Sequence, residues 1–251
     1  MTASLTLMRA LFATAMDVSP TAGSSGWANL ATPDPKEVAI LAAGGGYWDM
    51  DLGASVTADT FFLGFCSNNS DLAVNIYTAT GLGTGRTLLG ALSVGPATAR
   101  RRHAFLKIAT PSASRYWAFN VTGAAAITAG LATIGQSIQP VFGHEWGSGR
   151  LIRDMSQVTD LRGGGFGIER GARAPGWQFT VGDLSDAEVA SLWDMVQDVG
   201  MSAPVVVCED PSLSQPALNE ALHYGLLDRP EAYSREAPGT NRWSFRTKDW
   251  V

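Results

Sequence analysis

The chain has 251 residues, among them 28 Gly and 12 Pro, and only 16% are charged. That length supports one large β domain or two ordinary ones, and a charge content well under the usual ~25% excludes a disordered chain or a charged coiled coil. A net charge of −5 argues against general binding to nucleic acid or an anionic membrane, and an all-protein zinc site, which would need most of the 3 His and 2 Cys, is not expected. Residues 1–9 show no basic region ahead of an apolar core, so no signal peptide is expected. Residues 61–65, 72–77 and 116–121 are short β-branched and aromatic runs bounded by Gly, Ser, Asn or Pro, and they predict sandwich strands. Residues 81–85 and 111–114 are the expected loops. Residues 116–144 carry no charge, but Asn120, Gly123, Gly130, Gly135 and Pro140 interrupt them; they read as strands, not a membrane span. The Gly- and Arg-rich stretch 151–176 is expected to be an exposed or partner-contacting loop.

The pattern then predicts a strand at 177–181, a helix, and strands at 204–208, 221–227 and 242–246. Ser185 caps the helix, and Glu188 three residues later completes a capping box. Val189, Leu192, Trp193, Val196 and Val199 form its apolar stripe, with Ser191, Asp194, Gln197 and Asp198 opposite and Gly200 as the stop. Asp194 and Asp198 sit near the negative end of the helix dipole, a penalty expected under ~1 kcal/mol. This order predicts a sheet with one helix packed on it. Charge divides the chain nearby: residues 1–145 hold 8 basic and 8 acidic side chains, and residues 146–251 hold 10 and 15. The expected domains are 1–145 and 146–251.

No chemical motif is complete. His144-Glu145 begins like a zinc-protease motif, but Ser148 stands where the second imidazole belongs. The Gly-rich runs 81–85 and 163–167 neither precede a helix nor contain Gly-Lys-Ser/Thr, so neither is a phosphate cradle. Asp49-Met50-Asp51 has the spacing of a calcium loop, yet its twelfth position is Thr60. The pair reads instead as two carboxylates on the solvent face of an edge strand. Arg100-Arg101-Arg102-His103, with Lys107 and Arg115, is expected as a solvated basic loop, an acidic partner being the other reading. Cys66 with His103 lacks an orienting third group, and Cys66 and Cys208 are expected as free buried thiols. The expectation is no catalytic residue, no cofactor and no metal.

Trp48-Asp49-Met50-Asp51-Leu52-Gly53, the strand at 60–65, Asn68-Asn69-Ser70 and the strand at 73–77 resemble the opening of galactose-binding-like (discoidin-type) β-sandwiches. Ser114-Arg115-Tyr116-Trp117-Ala118-Phe119 resembles their late strand, and 127–135 their closing one. The sequence 134–140, then Gly163-Gly164-Gly165, 177–181, the helix start at 184–188, 200–211, Tyr224-Gly225 and 243–245 is similar in order to tail-tip (baseplate) structural proteins of long-tailed bacteriophages and prophages. That resemblance implies a mainly β chain. Residues 1–145 would form a jelly-roll, galactose-binding-like β-sandwich, and 146–251 a β-sheet domain with one packed α-helix of the tube or distal-tail kind. It implies a non-enzymatic virion protein, made in the host cytoplasm, in which three or six copies close a ring around the tail channel and contact other tail-tip proteins. Membrane insertion and specific nucleic-acid binding are not expected. DNA would pass through the ring, kept from sticking by the acidic second half.

Two other functions compete. A lectin that binds host-surface glycan would use an aromatic platform with polar neighbours, for which Trp48, Tyr47, Asp49 and Asn68 are the candidates. A polysaccharide hydrolase would need two carboxylates about 5–10 Å apart in a cleft, and nothing in the sequence places such a pair.

Overall fold

A computed structural model describes residues 4–19, 23–67 and 71–250. The strands of the first half are β1 (Thr6–Arg9), β2 (Ala15–Ser19), β3 (Ala39–Leu41), β4 (Gly46–Gly64), β5 (Ala73–Ala79), β6 (Thr87–Val94), β7 (Ala104–Thr122), β8 (Ile127–Ala129), β9 (Leu131–Gly135) and β10 (Ser137–Ile138). After them come β11 (Gly149–Asp154), β12 (Gln157–Asp160), β13 (Phe166–Glu169), β14 (Arg173–Leu184) and α1 (Asp186–Val199). The chain ends with β15 (Pro204–Cys208), α2 (Ala217–Glu220), β16 (Leu222–Leu227), β17 (Ser234–Ala237) and β18 (Thr240–Asp249). The fold is mainly β with antiparallel sheets, as the sequence predicts. Among the described residues no helix is long and apolar enough to cross a membrane.

The described residues divide into two compact units. One joins Ser4–Gln139 to Val206–Leu222; the other joins Pro140–Val205 to the segment from His223 onward. The segment 206–222, which order and charge place with the second half, therefore belongs with the first. Its hold there is specific. The Asn219 amide donates to the Arg101 carbonyl and accepts from the His103 N–H, each at 2.9 Å, and Gln215 donates to the Ser93 carbonyl at 3.3 Å.

In the first unit the main sheet runs β2–β4–β7–β5–β6, with β9 also paired to β4, and β3–β8 forms a separate ribbon. Two long strands, β4 and β7, extend along the whole sheet. Inward-facing positions on β4 are even at Trp48 and Met50 but odd at Phe61 and Leu63, all fully buried. The pairing of β4 with β7 shifts between Asp51 and Val56 and again between Ala58 and Thr60, which is how the parity changes. Both parts of β4 thus line one core with Ile76, Trp117, Phe119 and Val121. Residues 111–114, expected as a loop, lie inside β7. Lys107 and Ser112 are consecutive partners across that second shift, so Pro111 occupies an irregularity that needs no ladder donor.

The second unit has the sheet order β16–β18–β14–β11, with β17 turned back on β18. Phe179 opposes Phe245 and Val181 opposes Trp243, placing large side chains on a common face. Trp177 stacks on Phe179 at 4.2 Å, Phe179 on Phe245 at 5.4 Å, and Trp243 lies 5.0 Å from Phe245. α1 forms with the expected capping box and ends at Gly200, whose φ of +53° suits glycine. Its buried face is Val189, Leu192, Met195 and Val199, so the stripe is rotated from the expected one. Met195 replaces Trp193, which stays half exposed because its ring packs sideways against Tyr233 and Trp243. The stretch 151–176, expected as a loop, is largely strand: β11, β12, β13 and the start of β14.

Candidate functional site

On the outer face of the first unit, Tyr47, Asp49 and Asp51 alternate with the core residues Trp48 and Met50 along β4. Pairing sets Tyr47 beside Asn120 and Asn75, and Asp49 beside Ala118 and Tyr77. Arg86 crosses this face. Its Nε and Nη2 donate to the two Asp49 oxygens at 2.9 and 2.6 Å, while its guanidinium lies 3.9 Å above the Tyr47 ring. Arg115 grips Asp51 in the same bidentate way, at 2.7 Å for each bond, and lies 5.0 Å above Tyr116. The hydrogen bond from Arg115 holds the Asp51 carboxyl below its ordinary range, and Asp49 raises Arg86.

These contacts correct the edge-strand reading of the two aspartates. β4 lies between β2 and β7, both carboxylates are buried, and each is neutralised by an arginine. A calcium ion would have to displace both guanidinium groups. No cluster of three or more His, Cys, Asp or Glu suited to a metal occurs among the described residues. The lectin candidates do not converge either. Trp48 is fully buried, Asp49 is held by Arg86, the Tyr47 face is covered by the same guanidinium, and Asn68 lies outside the described residues. What remains open is a different set: the half-exposed Asn75, Asn120 and Tyr77, with Tyr47 meeting Tyr77 edge-on at 5.7 Å.

The basic cluster is solvated only in part, at Arg100 and Arg101. Arg102 and His103 are buried; Arg102 donates to the Gly95 carbonyl at 2.7 Å and to the Ser67 carbonyl at 2.8 Å. His103 is packed 5.0 Å from both Phe62 and Phe65, and its Nδ1 accepts from the Phe65 N–H at 3.3 Å. Burial pushes the Cys66 thiol up to about 12 and raises Cys208 as well, so neither is an activated nucleophile. His144 packs edge-on against Trp177 at 5.2 Å, and Glu145 is ion-paired with Arg242.

The most exposed apolar surface belongs to the second unit. β11 and β14 pair from Gly149 opposite Gln178 to Asp154 opposite Arg173, and beyond that point β12 and β13 continue as a hairpin paired only to each other. The Ser156 hydroxyl and N–H, with Arg173, pull Asp154 down to about 2 at the base of this arm. Gly164 and Gly165, at φ +79° and +105°, turn its tip, where the Leu161 N–H donates to the Gly165 carbonyl at 3.1 Å. Val158 opposes Ile168 and Asp160 opposes Phe166, so these four share one face; Gln157, Thr159, Gly167 and Glu169 share the other. Val158, Phe166 and Ile168 are 63, 67 and 65% exposed. The arm is therefore amphipathic, with an apolar face directed at solvent. An isolated two-stranded hairpin is at best marginally stable in water. The sequence carried this signal in Val158, Phe166 and Ile168, but the surrounding Gly and Arg obscured it.

No family model matches the chain, and no curated protein matches it. Among solved structures it is similar to the CBM32 of AlyQ in complex with 4,5-unsaturated mannuronic acid, at 14% identity over 50% of this chain and 96% of that one, TM-score 0.41. It is similar to the family 32 carbohydrate-binding module of Clostridium perfringens NanJ in complex with galactose, at 8% identity over 51% of this chain and 98% of that one, TM-score 0.41. It is also similar to the family 32 module of Streptococcus pneumoniae EndoD, at 13% identity over 51% and 99%, TM-score 0.39.

Proposed function

We propose that this chain is a non-catalytic structural subunit that assembles with copies of itself through the arm of its second unit, as a ring component of a bacteriophage tail tip. The observation that carries this reading is the amphipathic hairpin β12–β13, whose Val158, Phe166 and Ile168 face solvent. Burying such a face against another copy offsets the cost of ordering a hairpin that has no other support. The biological setting rests on the resemblance in motif order to tail-tip proteins read from the sequence. The full chain is expected to form closed rings by electron microscopy and to sediment as a multimer. Val158→Asp with Ile168→Asp should return it to single copies with an unchanged circular dichroism spectrum. A wild-type chain that remains a single copy at every concentration overturns the reading.

A second reading, carbohydrate binding by the first unit, is favoured by the outer face that carries Asn75, Asn120 and Tyr77 around the Arg86–Tyr47 stack. Amide groups and an aromatic ring on a pre-formed surface suit the hydroxyls and apolar patches of a sugar. Titration calorimetry of the full chain against a galactose and uronic-acid panel is expected to show saturable binding that Tyr77→Ala with Asn120→Ala abolishes. Binding unaffected by that pair of substitutions, or no binding at all, removes this reading.

A further inference from the structure

We propose that the cleft where residues 228–231 run beside β18 binds a small zwitterion of the amino-acid kind, its carboxylate held by Arg229 and Arg246 and its ammonium group by Glu231. β18 pairs with β17 as far as Arg242 and with β16 from Thr247 onward. Its opposite edge is covered by β14, from Trp243 opposite Val181 to Arg246 opposite Gln178. On the β16 side, residues 243–246 therefore have no strand beside them. The segment 228–231 spans that gap and leaves a cleft of about 290 Å3, whose lining includes Gln178, Arg229, Glu231, Ser244 and Arg246. The segment is pinned at both ends: the Asp228 N–H donates to the Arg246 carbonyl and the Trp243 Nε1 to the Glu231 carbonyl, each at 2.7 Å. Its walls are thus in place before a ligand arrives, and a preformed concave surface with a few convergent polar groups suits a small molecule.

Charge in this cleft is unmatched in both signs. Asp228 is neutralised by Lys248. Arg246 donates to the uncharged Gln178 amide at 2.7 Å, and among the described residues neither it nor Arg229 pairs with a carboxylate. Glu231 likewise meets no cation there. Arg229 and Glu231 flank Pro230, whose ring fixes the backbone between them. Arg229 itself has a φ of +47°, in the left-handed region that a non-glycine residue rarely occupies and a residue before proline avoids. That conformation costs free energy, and such outliers concentrate at ligand clamps. Two guanidinium groups on one cleft suit a carboxylate, which each can grip through parallel hydrogen bonds. A simple anion would leave Glu231 unanswered, and a simple cation would face both arginines. A ligand carrying both charges satisfies all three side chains.

The test is ligand-observed NMR of the full chain with L-alanine, 4-aminobutanoate, propionate and ethylamine as probes. At least one of the two amino acids is expected to bind saturably, with propionate about tenfold weaker and ethylamine not bound. Arg229→Gln and Arg246→Gln should each raise the dissociation constant of that amino acid about tenfold. Glu231→Gln should bring it to the level of propionate without weakening propionate itself. All three side chains are exposed, so an unchanged urea midpoint shows that each variant is folded. If neither amino acid saturates the wild-type chain, or if binding survives Arg229→Gln combined with Arg246→Gln, the proposal falls. Propionate bound as tightly as the amino acids removes the role of Glu231 and overturns the zwitterion. Self-assembly is read separately, by sedimentation, and stands or falls on its own.

Discussion

Trp48→Ala is expected to destabilise the first unit by about 3–5 kcal/mol, seen as a lower urea midpoint. Trp48 is fully buried in the core that the two halves of β4 share with Trp117 and Phe119. Removing the indole leaves a cavity that strands bound on both sides cannot collapse to fill. Its Nε1 is buried without a hydrogen-bond partner, so the native indole already bears the cost of a desolvated donor. Trp48→Phe, which keeps an aromatic ring and removes that donor, should therefore cost far less, about 1 kcal/mol. The pair of variants separates a core role from a sugar platform. A Trp48→Ala chain with the wild-type midpoint would contradict the full burial of this indole.

Asp49→Ala should cost about 2–4 kcal/mol, because it strands Arg86 on a half-buried face with its best partner gone. The Asp49 side chain is 1% exposed and that of Arg86 18%, so solvent only partly compensates. Replacing both together, Asp49→Ala with Arg86→Met, is expected to cost less than Asp49→Ala alone, since no unpaired charge is left. A double-mutant cycle by denaturant unfolding measures the coupling. Strict additivity of the two substitutions would show that the bidentate pair contributes nothing beyond its parts.

The local patterns predict local structure well. The capping box at Ser185–Glu188 and the apolar run at 204–208 are short-range signals, and both elements form where those signals lie. The readings that failed depend on partners distant in sequence. A strand of β4's length hides itself because its register shifts move the inward positions from even to odd, so no single alternation runs through it. Asp49 and Asp51 look like surface acids until Arg86 and Arg115 arrive from other segments. Arg102 looks like a loop cation until the Gly95 and Ser67 carbonyls are seen to accept its hydrogen bonds. The arm was concealed differently. Its Gly and Arg residues read as loop chemistry, and only pairing shows that Val158, Phe166 and Ile168 fall on one side. Periodicity alone puts Trp193 in the helix core, whereas the buried face holds Met195.

The described backbone passes between the two units three times, at 139–140, 205–206 and 222–223. Neither unit is a continuous stretch of polypeptide, so a fragment cut at 145 carries away a body without the Asn219 side chain that ties down its 101–103 segment. A fragment ending at 145 is therefore expected to be less stable than the same residues in the whole chain. During synthesis, the first unit stays incomplete until residue 222 has left the ribosome, by which time most of the second has been made. Because each body draws on segments from both sides of the other in sequence, transferring either one to another protein requires carrying a returning segment with it, not an end-to-end fusion.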